Sequence, residues 1–596
     1  MAGPGRTTHC LSVDAFRIHL IPVFGLVLLL SGTLRAEAQS SSNIRFRNAT
    51  AGSGIDTGVG ASGVSTFDFN GDGLDDITMA RRDAAPALLR NNGDGTFTDV
   101  ADDAGVASST NSLIPIWVDV NQDGLPDLFL GAAGEGRNAL WLNQGDFEFV
   151  NVAEAWGLNT RARVGGAAFG DFSGDGFPDL FLAVRTGPDL LYRNVDGTGF
   201  EDVSEAYGVQ GDPFSIPMQI TWLDIDGDGD QDLFVTHDED VYNFLYINDD
   251  GNALQDQAAA WGIQEVGAGN SMGVAWGDPD QDGDLDAYVT RIGIAGFYRF
   301  DAVQGRFYDE ATPWRVAQNG VGWGTYFADF DNDGDEDLAA VHSATAGFPP
   351  PVLFVNQGNR FDPLVEAGDF HFTLSDFGLA VGDFNKDGQL DLITANFRGE
   401  HQLFINESAE AGHWLTVELR SAGSRPAGIG ARLELDVAGK TLVRILQAGD
   451  GYLSQNTYRT HFGLGAETEA SDLRVRWPDG TWQSFGPLTA GEHYVIRDGV
   501  VSTRTESVRP QQEAASLDLW PNPSEGLFSF RANLPEAGPA RWSVIDALGR
   551  KRLEGQLANG VGSRQLTVDA GILPPGVYWV VVSTGQSVAK RPVILR

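Results

Sequence analysis

Asp224-Ile225-Asp226-Gly227-Asp228-Gly229-Asp230-Gln231-Asp232 is an acidic loop of pattern DxDxDGxxD, and the chain carries it seven times, with Asn or Ser at the third position in four of the copies. The copies begin at Asp68, Asp119, Asp171, Asp224, Asp278, Asp329 and Asp383, 51 to 54 residues apart. Self-similarity at a fixed period of that length marks a repeated structural unit. A run of small and aromatic residues precedes the loop, as in Gly165–Phe169, and an alternating apolar run follows it, as in Asp127–Leu130, so the loop joins two strands. Later in the period, Asn91–Val106 is echoed at Asn143–Leu158, Asn194–Val209 and Asn248–Ile263, which fits two more strands and a turn. Four strands in about 50 residues make one blade of a β-propeller, and seven copies predict a closed ring. The seventh copy stops after Asn406 and its missing piece stands at Phe46–Ile55, so the first strand is expected to complete the last blade.

The loop chemistry points to calcium. That ion takes six to eight hard oxygen ligands in a flexible shell, and a loop offering side chains at positions 1, 3, 5 and 9 with the carbonyl of position 7 wraps one ion. The expected ligands are Asp68, Asn70, Asp72 and Asp76; Asp119, Asn121, Asp123 and Asp127; Asp171, Ser173, Asp175 and Asp179; and Asp224, Asp226, Asp228 and Asp232. The last three loops supply Asp278, Asp280, Asp282 and Asp286; Asp329, Asp331, Asp333 and Asp337; and Asp383, Asn385, Asp387 and Asp391. Position 6 is glycine in every copy, which suits a turn needing positive φ. An EF-hand would require a bidentate Glu at position 12, where these loops have strand residues such as Met79, Leu130 and Val235. Magnesium would demand near-octahedral geometry, so about seven structural calcium ions are expected. Loops four to six carry four carboxylates each and should bind tightest; the third, with Ser173, and the seventh, with Lys386 inside it, should bind weakest.

Composition agrees with an exported protein. The 596 residues hold 82 Asp and Glu against 40 Lys and Arg, a formal charge of −42. Such a field repels nucleic acid, and no basic face is visible to overcome it, so no nucleic-acid partner is expected. Residues 1–38 read as a signal peptide, with Arg6 and Arg17, the apolar run Leu20–Leu30 and small residues before Gln39. The single cysteine, Cys10, falls inside that leader, and no later run approaches the length of a transmembrane helix. The expected localisation is secreted or outer cell surface.

The repeated loop after a Gly and aromatic strand resembles the FG-GAP (VCBS) repeat, the blade unit of integrin α-chain propellers, over residues 44–408. That resemblance implies calcium loops on one face and partners docking on the other. Residues 412–498, with GIGA at Gly428–Ala431, GYLS at Gly451–Ser454, HFGLG at His461–Gly465 and WPDG at Trp477–Gly480, resemble the ASPIC/UnbV domain. The same order of parts occurs in the cartilage acidic protein family. A polar linker is read at 499–515, and 516–596, with PNPS at Pro521–Ser524 and VIDALGR at Val544–Arg550, resembles the type IX secretion C-terminal sorting domain. The resemblance implies type IX secretion machinery as a partner. The expected fold class is all-β: a seven-bladed β-propeller followed by two small β-sandwich domains.

No GxSxG or HExxH pattern is present, and no nucleophile and base are paired in the sequence, so an enzyme is not expected. Five residues after each loop's last Asp stand Arg81, His237, Arg291, His342 and Asn396, with Ala132 and Val184 in the other two copies. If the second strands end at one mouth of the ring, these polar groups would line a site for an anionic ligand, with Arg81 and Arg291 as charge partners. His461 reads as a packed core histidine. The functional expectation is a secreted or cell-surface calcium-binding module for an extracellular glycan or protein; the alternative is a polysaccharide lyase or hydrolase on a propeller.

Overall fold

Seven four-stranded antiparallel blades stand where the seven repeats predict them, with blades 5 and 6 joined into one eight-stranded sheet and a short parallel strand added to blade 1. The computed structural model describes residues 44–595 apart from 344–350, 371–375, 421–427, 504–515 and several shorter loop stretches. The expected leader 1–38, Cys10 and most of the expected linker lie outside the described residues. Blade 4 shows the plan: Ile216–Leu223, Asp232–Asp238, Phe244–Asn248 and Leu254–Asp256 pair in sequence order, and the acidic loop connects the first two. The first strands of neighbouring blades touch all round the ring and so surround its axis. In blades 2 to 7 the pairing of first and second strands slips by a residue or more near the end remote from the acidic loop. Blade 5 departs from the plan, because its second strand, Asp286–Ile294, runs on and pairs with the first strand of blade 6 through Ile292↔Val321.

The ring closes as the repeat pattern requires. Phe46–Asn48 pairs antiparallel with Gln402–Asn406, Phe46 opposite Asn406 and Asn48 opposite Phe404. Phe46 is fully buried, edge-on to Phe330 at 5.6 Å and beside Phe370 at 5.7 Å, so the closing strand is held by packing as well as by its ladder.

Two further all-β units follow. Residues 413–503 form two four-stranded sheets, one with His413–Arg420 and His493–Arg497 paired in parallel, the other built on Arg432–Val437. Val500–Thr503 pairs with His493–Arg497, which corrects the expected linker: its first residues are the last strand of this unit. The C-terminal unit stacks a three-stranded sheet on a four-stranded one around Phe528, Phe530, Val544 and Val580.

One connection of the second unit was not foreseen. Residues 446–458 run down the propeller axis and bond to its first strands. Phe169 N–H donates to the Ala448 carbonyl at 3.0 Å, Ser454 and Gln455 pair in parallel with Val64 and Ser65, and Gln455 accepts from Trp117 N–H at 2.8 Å. Asn456 accepts from Val381 N–H at 2.8 Å, and Gln219 Nε2 donates to the Asp450 carbonyl at 3.0 Å. The segment turns at Tyr452 and Leu453, the latter at φ 54, a left-handed conformation that leucine rarely adopts. Glycine at 63 makes room for it, since a Cβ there would stand 2.3 Å from the Leu453 carbonyl oxygen.

Phe46→Ala is expected to cost about 3–5 kcal/mol, the range for truncating a buried phenylalanine. Chemical unfolding of the full chain, with an exposed Phe such as Phe397→Ala as control, measures it; equal losses would mean the closing strand adds nothing.

Candidate metal centres

Each loop is wound by its own carboxylates. In loop 3, Asp171 at position 1 accepts from Gly176 N–H at 2.9 Å and Asp175 N–H at 3.1 Å, and Asp175 accepts from Phe177 N–H at 2.9 Å. The glycine at position 6 has φ between 81 and 114 in all seven loops, as the sequence requires. Position 9 is the first residue of the second strand and is buried throughout. In loop 4, Asp232 accepts from Ile225 N–H at 2.9 Å and from Asn248 N–H at 2.8 Å. Ligand atoms of Asp224, Asp226 and Asp232, of Asp278, Asp280 and Asp282, and of Asp329, Asp331 and Asp333 gather within 4.8 Å of one another. These are the three loops expected to bind most tightly.

The donor set suits a hard cation. Every side-chain donor at positions 1, 3, 5 and 9 is an oxygen, with no imidazole or thiol. Asp280 Oδ1, Asp286 Oδ2 and Ser173 Oγ are buried without a hydrogen-bond partner, acceptors that a cation would satisfy. Burial, reinforced by neighbouring carboxylates, pushes Asp119 and Asp171 up to about 6, Asp278 and Asp383 up to about 7, and Asp232 up to about 8.

The sequence reading missed what ties blade to blade. Asn91, Asn194, Asn248, Asn356 and Asn406 close the third strands of their blades, and each amide donates to two carbonyls: one at position 8 of its own loop, one at position 2 of the preceding blade's loop. Asn248, for example, reaches Gln231 at 3.1 Å and Phe172 at 2.9 Å. The signal was visible as the asparagine opening each echoed segment, but it reads equally as a turn residue. Position 4 is left-handed in every loop; three of its four non-glycine residues, Gln122, Gln281 and Asn332, donate to the position-6 glycine carbonyl of the next loop at 2.6, 2.7 and 3.1 Å, the fourth being Lys386.

Comparison with known proteins follows the same divisions. Residues 68–130, 119–182, 171–235 and 224–289 match the FG-GAP-like repeat. The stretch 68–289 is thus FG-GAP-like. Residues 421–503 match the ASPIC and UnbV model, and 518–596 match a secretion system C-terminal sorting domain, the type IX tail, which indicates export to the cell surface or secretion. Among the described residues no helix is long and apolar enough to cross a membrane. The chain is 27% identical over 449 residues to cartilage acidic protein 1 of Mus musculus, a match covering 70% of this chain and 62% of that protein. It is 26% identical over 502 residues to cartilage acidic protein 1 of Homo sapiens, covering 79% and 67%. Among solved structures, the Dos1 propeller aligns at 11% identity over 71% of this chain and 95% of its own, with a TM-score of 0.31.

The ASPIC/UnbV unit covers the loop face of the ring. Arg459 bonds Asp68 and Asp75, each at 2.8 Å; Arg476 pairs with Asp224 and reaches the Gly227 carbonyl at 2.9 Å; Arg444 lies 3.3 Å from Glu336. Loop 6 also accepts two backbone bonds, from Gly412 N–H and Gly465 N–H, at 2.9 and 2.8 Å. His461 is buried and bonded to the Gly388 carbonyl at 3.1 Å, and burial lowers its pKa to about 4, as suits the core histidine expected.

Loop 5 holds a cation of its own blade. Arg299, on the third strand of that blade, bonds Asp280 and lies 3.4 Å from Asp282 and 3.8 Å from Asp286. The residue after it is Phe300, where the other six blades have asparagine.

Four of the five residues expected around an open mouth are buried instead, and Arg291 is half-buried. His237 and His342 are 0% and 1% exposed, and burial lowers His342 to about 4, so it stays neutral. Arg291 is spent on Glu265 at 2.9 Å and on the Tyr298 hydroxyl. Asn396 N–H donates to His401 at 3.0 Å, and Arg81 is 7% exposed. Strand ends in this ring are covered by the next blade, so position after the loop did not translate into access.

Two outcomes follow from the loops. Carboxylates whose pKa is raised on folding keep protons that the unfolded chain releases, so the metal-free protein should lose stability as pH rises from about 4 to about 8. Thermal melts in chelator should fall across that window and flatten when calcium is restored; a rise would contradict the burial of these groups. Arg299→Ala should raise calcium affinity at loop 5 by roughly tenfold, since a competing cation within about 4 Å is removed; calorimetric titration of both proteins reads it, and unchanged affinity would show that Arg299 does not compete.

Proposed function

We propose that this is an exported, calcium-loaded propeller that acts as a binding or adhesion module for an extracellular glycan or protein, and not as an enzyme. The observation that supports it best is the ring of oxygen-only acidic loops, three of them with three carboxylates already gathered, on a chain with an export tail. Calcium suits such a set better than magnesium because it tolerates irregular shells of six to eight oxygens. Asp224, Asp226, Asp228 and Asp232 and their counterparts would hold it, and bound calcium supplies the positive charge that the buried carboxylates lack. The residues themselves position the loops, through the glycine turns and the backbone bonds to positions 1 and 9. Extracellular modules bind calcium at roughly 10⁻⁴ to 10⁻³ M, within reach of the medium outside cells.

The capped loop face leaves the opposite face for partners, in keeping with the direction that the integrin-like resemblance implies. Calcium at ten times its dissociation constant should add about 1.4 kcal/mol per site, so the melting temperature of the full chain should climb with added calcium and drop with chelator. Calcium-loaded protein on an array of glycans and extracellular proteins should then retain a ligand intact. Equal melting with and without chelator would sink the metal reading, and cleavage products from a polysaccharide would replace the module with the enzyme.

A further inference from the structure

The strand ends remote from the acidic loops carry a second set of polar groups. Arg82 follows the second strand of blade 1, Arg185 follows the second strand of blade 3, and Arg163 precedes the first strand of that blade. The axial segment brings its tip, Tyr452, among them. Arg185 donates to the Tyr452 hydroxyl at 3.5 Å, while Arg82 donates to Ser62 Oγ at 3.0 Å with its guanidinium 4.6 Å over the Phe397 ring. Beneath lies an aromatic floor, with Trp323 5.4 Å from Tyr452 and 4.5 Å from Phe377. Phe397 and Arg163 are exposed, so solvent reaches this mouth.

Charge balance here is the reverse of the rest of the molecule. In a chain with twice as many acids as bases, none of Arg82, Arg163 and Arg185 makes an ion pair with a described carboxylate. Burial and then the charge of Arg185 push Arg82 below its ordinary pKa, with Arg163 adding to the effect; Asp83 opposes it least of all. Arg185 Nε is buried with no hydrogen-bond partner. Buried donors and clustered like charges persist at a cost unless something pairs with them. Guanidinium groups present flat N–H edges that match the two oxygens of an oxyanion. The Tyr452 hydroxyl oxygen accepts from Arg185, and because the tyrosine is buried it holds that guanidinium from beneath.

We propose that this far mouth binds a single oxyanion group, a carboxylate or sulfate, with Arg82 and Arg185 as its charge partners and the buried Tyr452 as the residue that positions Arg185. The proposal rests on the reading of the protein as an extracellular binding module and names the chemistry its ligand would present. It replaces the pairing of Arg81 with Arg291, because Arg291 is committed to Glu265. It also makes the site composite: two propeller blades supply the cations, and the second domain, through Tyr452 at the tip of its axial segment, fixes one of them in place.

Calorimetric titration of the calcium-loaded full chain at low ionic strength with inorganic sulfate and with glucuronate tests it. Wild type should bind at least one probe; Arg82→Gln with Arg185→Gln should weaken that binding at least tenfold, and Tyr452→Phe by roughly threefold, while the melting response to calcium stays intact. Preference for sulfate would assign the group to a sulfated chain, and preference for glucuronate to a carboxylate source. Should the double glutamine variant fail to fold, Arg82→Lys with Arg185→Lys keeps the charge and removes the flat donor edge, and should still weaken binding severalfold. Binding unchanged in the folded variants, or no binding of either probe by wild type, overturns the assignment. An array ligand that binds wild type and double variant alike would sink this mouth and leave the module standing; loss of the calcium response in wild type would sink the module without bearing on the sulfate titration.

Discussion

The carboxylate at position 9 of each loop is the group around which a blade is organised. It is buried in every copy; in all but loop 5 one oxygen accepts from the backbone near the start of its loop and the other from the backbone at the end of the third strand, while Asp286 of loop 5 has only the third-strand bond, from Phe300 N–H. A carboxylate taken out of water is costly unless its lone pairs are satisfied. Two backbone N–H groups meet part of that need and in doing so fix loop, second strand and third strand together. Neighbouring aspartates then raise the remaining cost, as the upward shifts of Asp286, Asp337 and Asp391 reflect, with burial as the leading cause in each. Fold and cation demand thus have one origin: the groups that wind the loops are the groups that concentrate negative charge.

What joins blades is carried by the positions that the DxDxDGxxD pattern leaves open. Position 8 ties backwards in three blades, where Asp75, Gln231 and Glu336 accept from the position-1 N–H of the preceding loop at 3.1, 2.6 and 2.8 Å. Position 4 ties forwards through Gln122, Gln281 and Asn332, and the strand-ending asparagines tie backwards through their amides. Blade 5 lacks that asparagine, and Phe300 instead stacks on Trp261 of the preceding blade at 5.6 Å. A polar clamp has been exchanged for an apolar one, and Arg299 has moved into the loop beside it.

The ring, its seven stations and its closing strand were legible because they depend on period and on local turn chemistry, both of which a sequence displays directly. The closing strand was readable from a missing fragment, Phe46 to Asn48, since an incomplete sheet edge must be completed somewhere. Ties such as Asn248 to Phe172 were not legible, because an asparagine before a turn has a sufficient local explanation. Arg81, His237, His342 and Asn396 were placed correctly at strand ends but not in solvent, since whether a strand end is covered depends on the neighbouring blade and not on its own repeat, while Arg291 falls inside a strand that runs on to Ile294. Gln447 to Asn456 read as part of a small sandwich; nothing in Gly451-Tyr452-Leu453-Ser454 announces that its partners are the first strands of another domain.

That axial segment changes what the ring is able to do. An open propeller channel offers its first strands to a ligand, but here backbone groups on blades 1, 2, 3, 4 and 7 are already bonded to residues 447–456, and Trp323 of blade 6 packs at a tilt against Tyr452. Recognition through the channel lining would have to break those bonds, whereas recognition at the rim uses the tip as it stands. The left-handed Leu453 stores backbone strain of about 1–3 kcal/mol, which persists only where surrounding contacts hold the conformation. Those contacts come from the same strands whose other ends carry the acidic loops, and Arg459 and Arg476 pin the segment's own domain to Asp68 and Asp224. Loop face and far mouth are therefore connected through one rigid element, so that ordering at the carboxylates and ordering at Tyr452 draw on a shared set of hydrogen bonds.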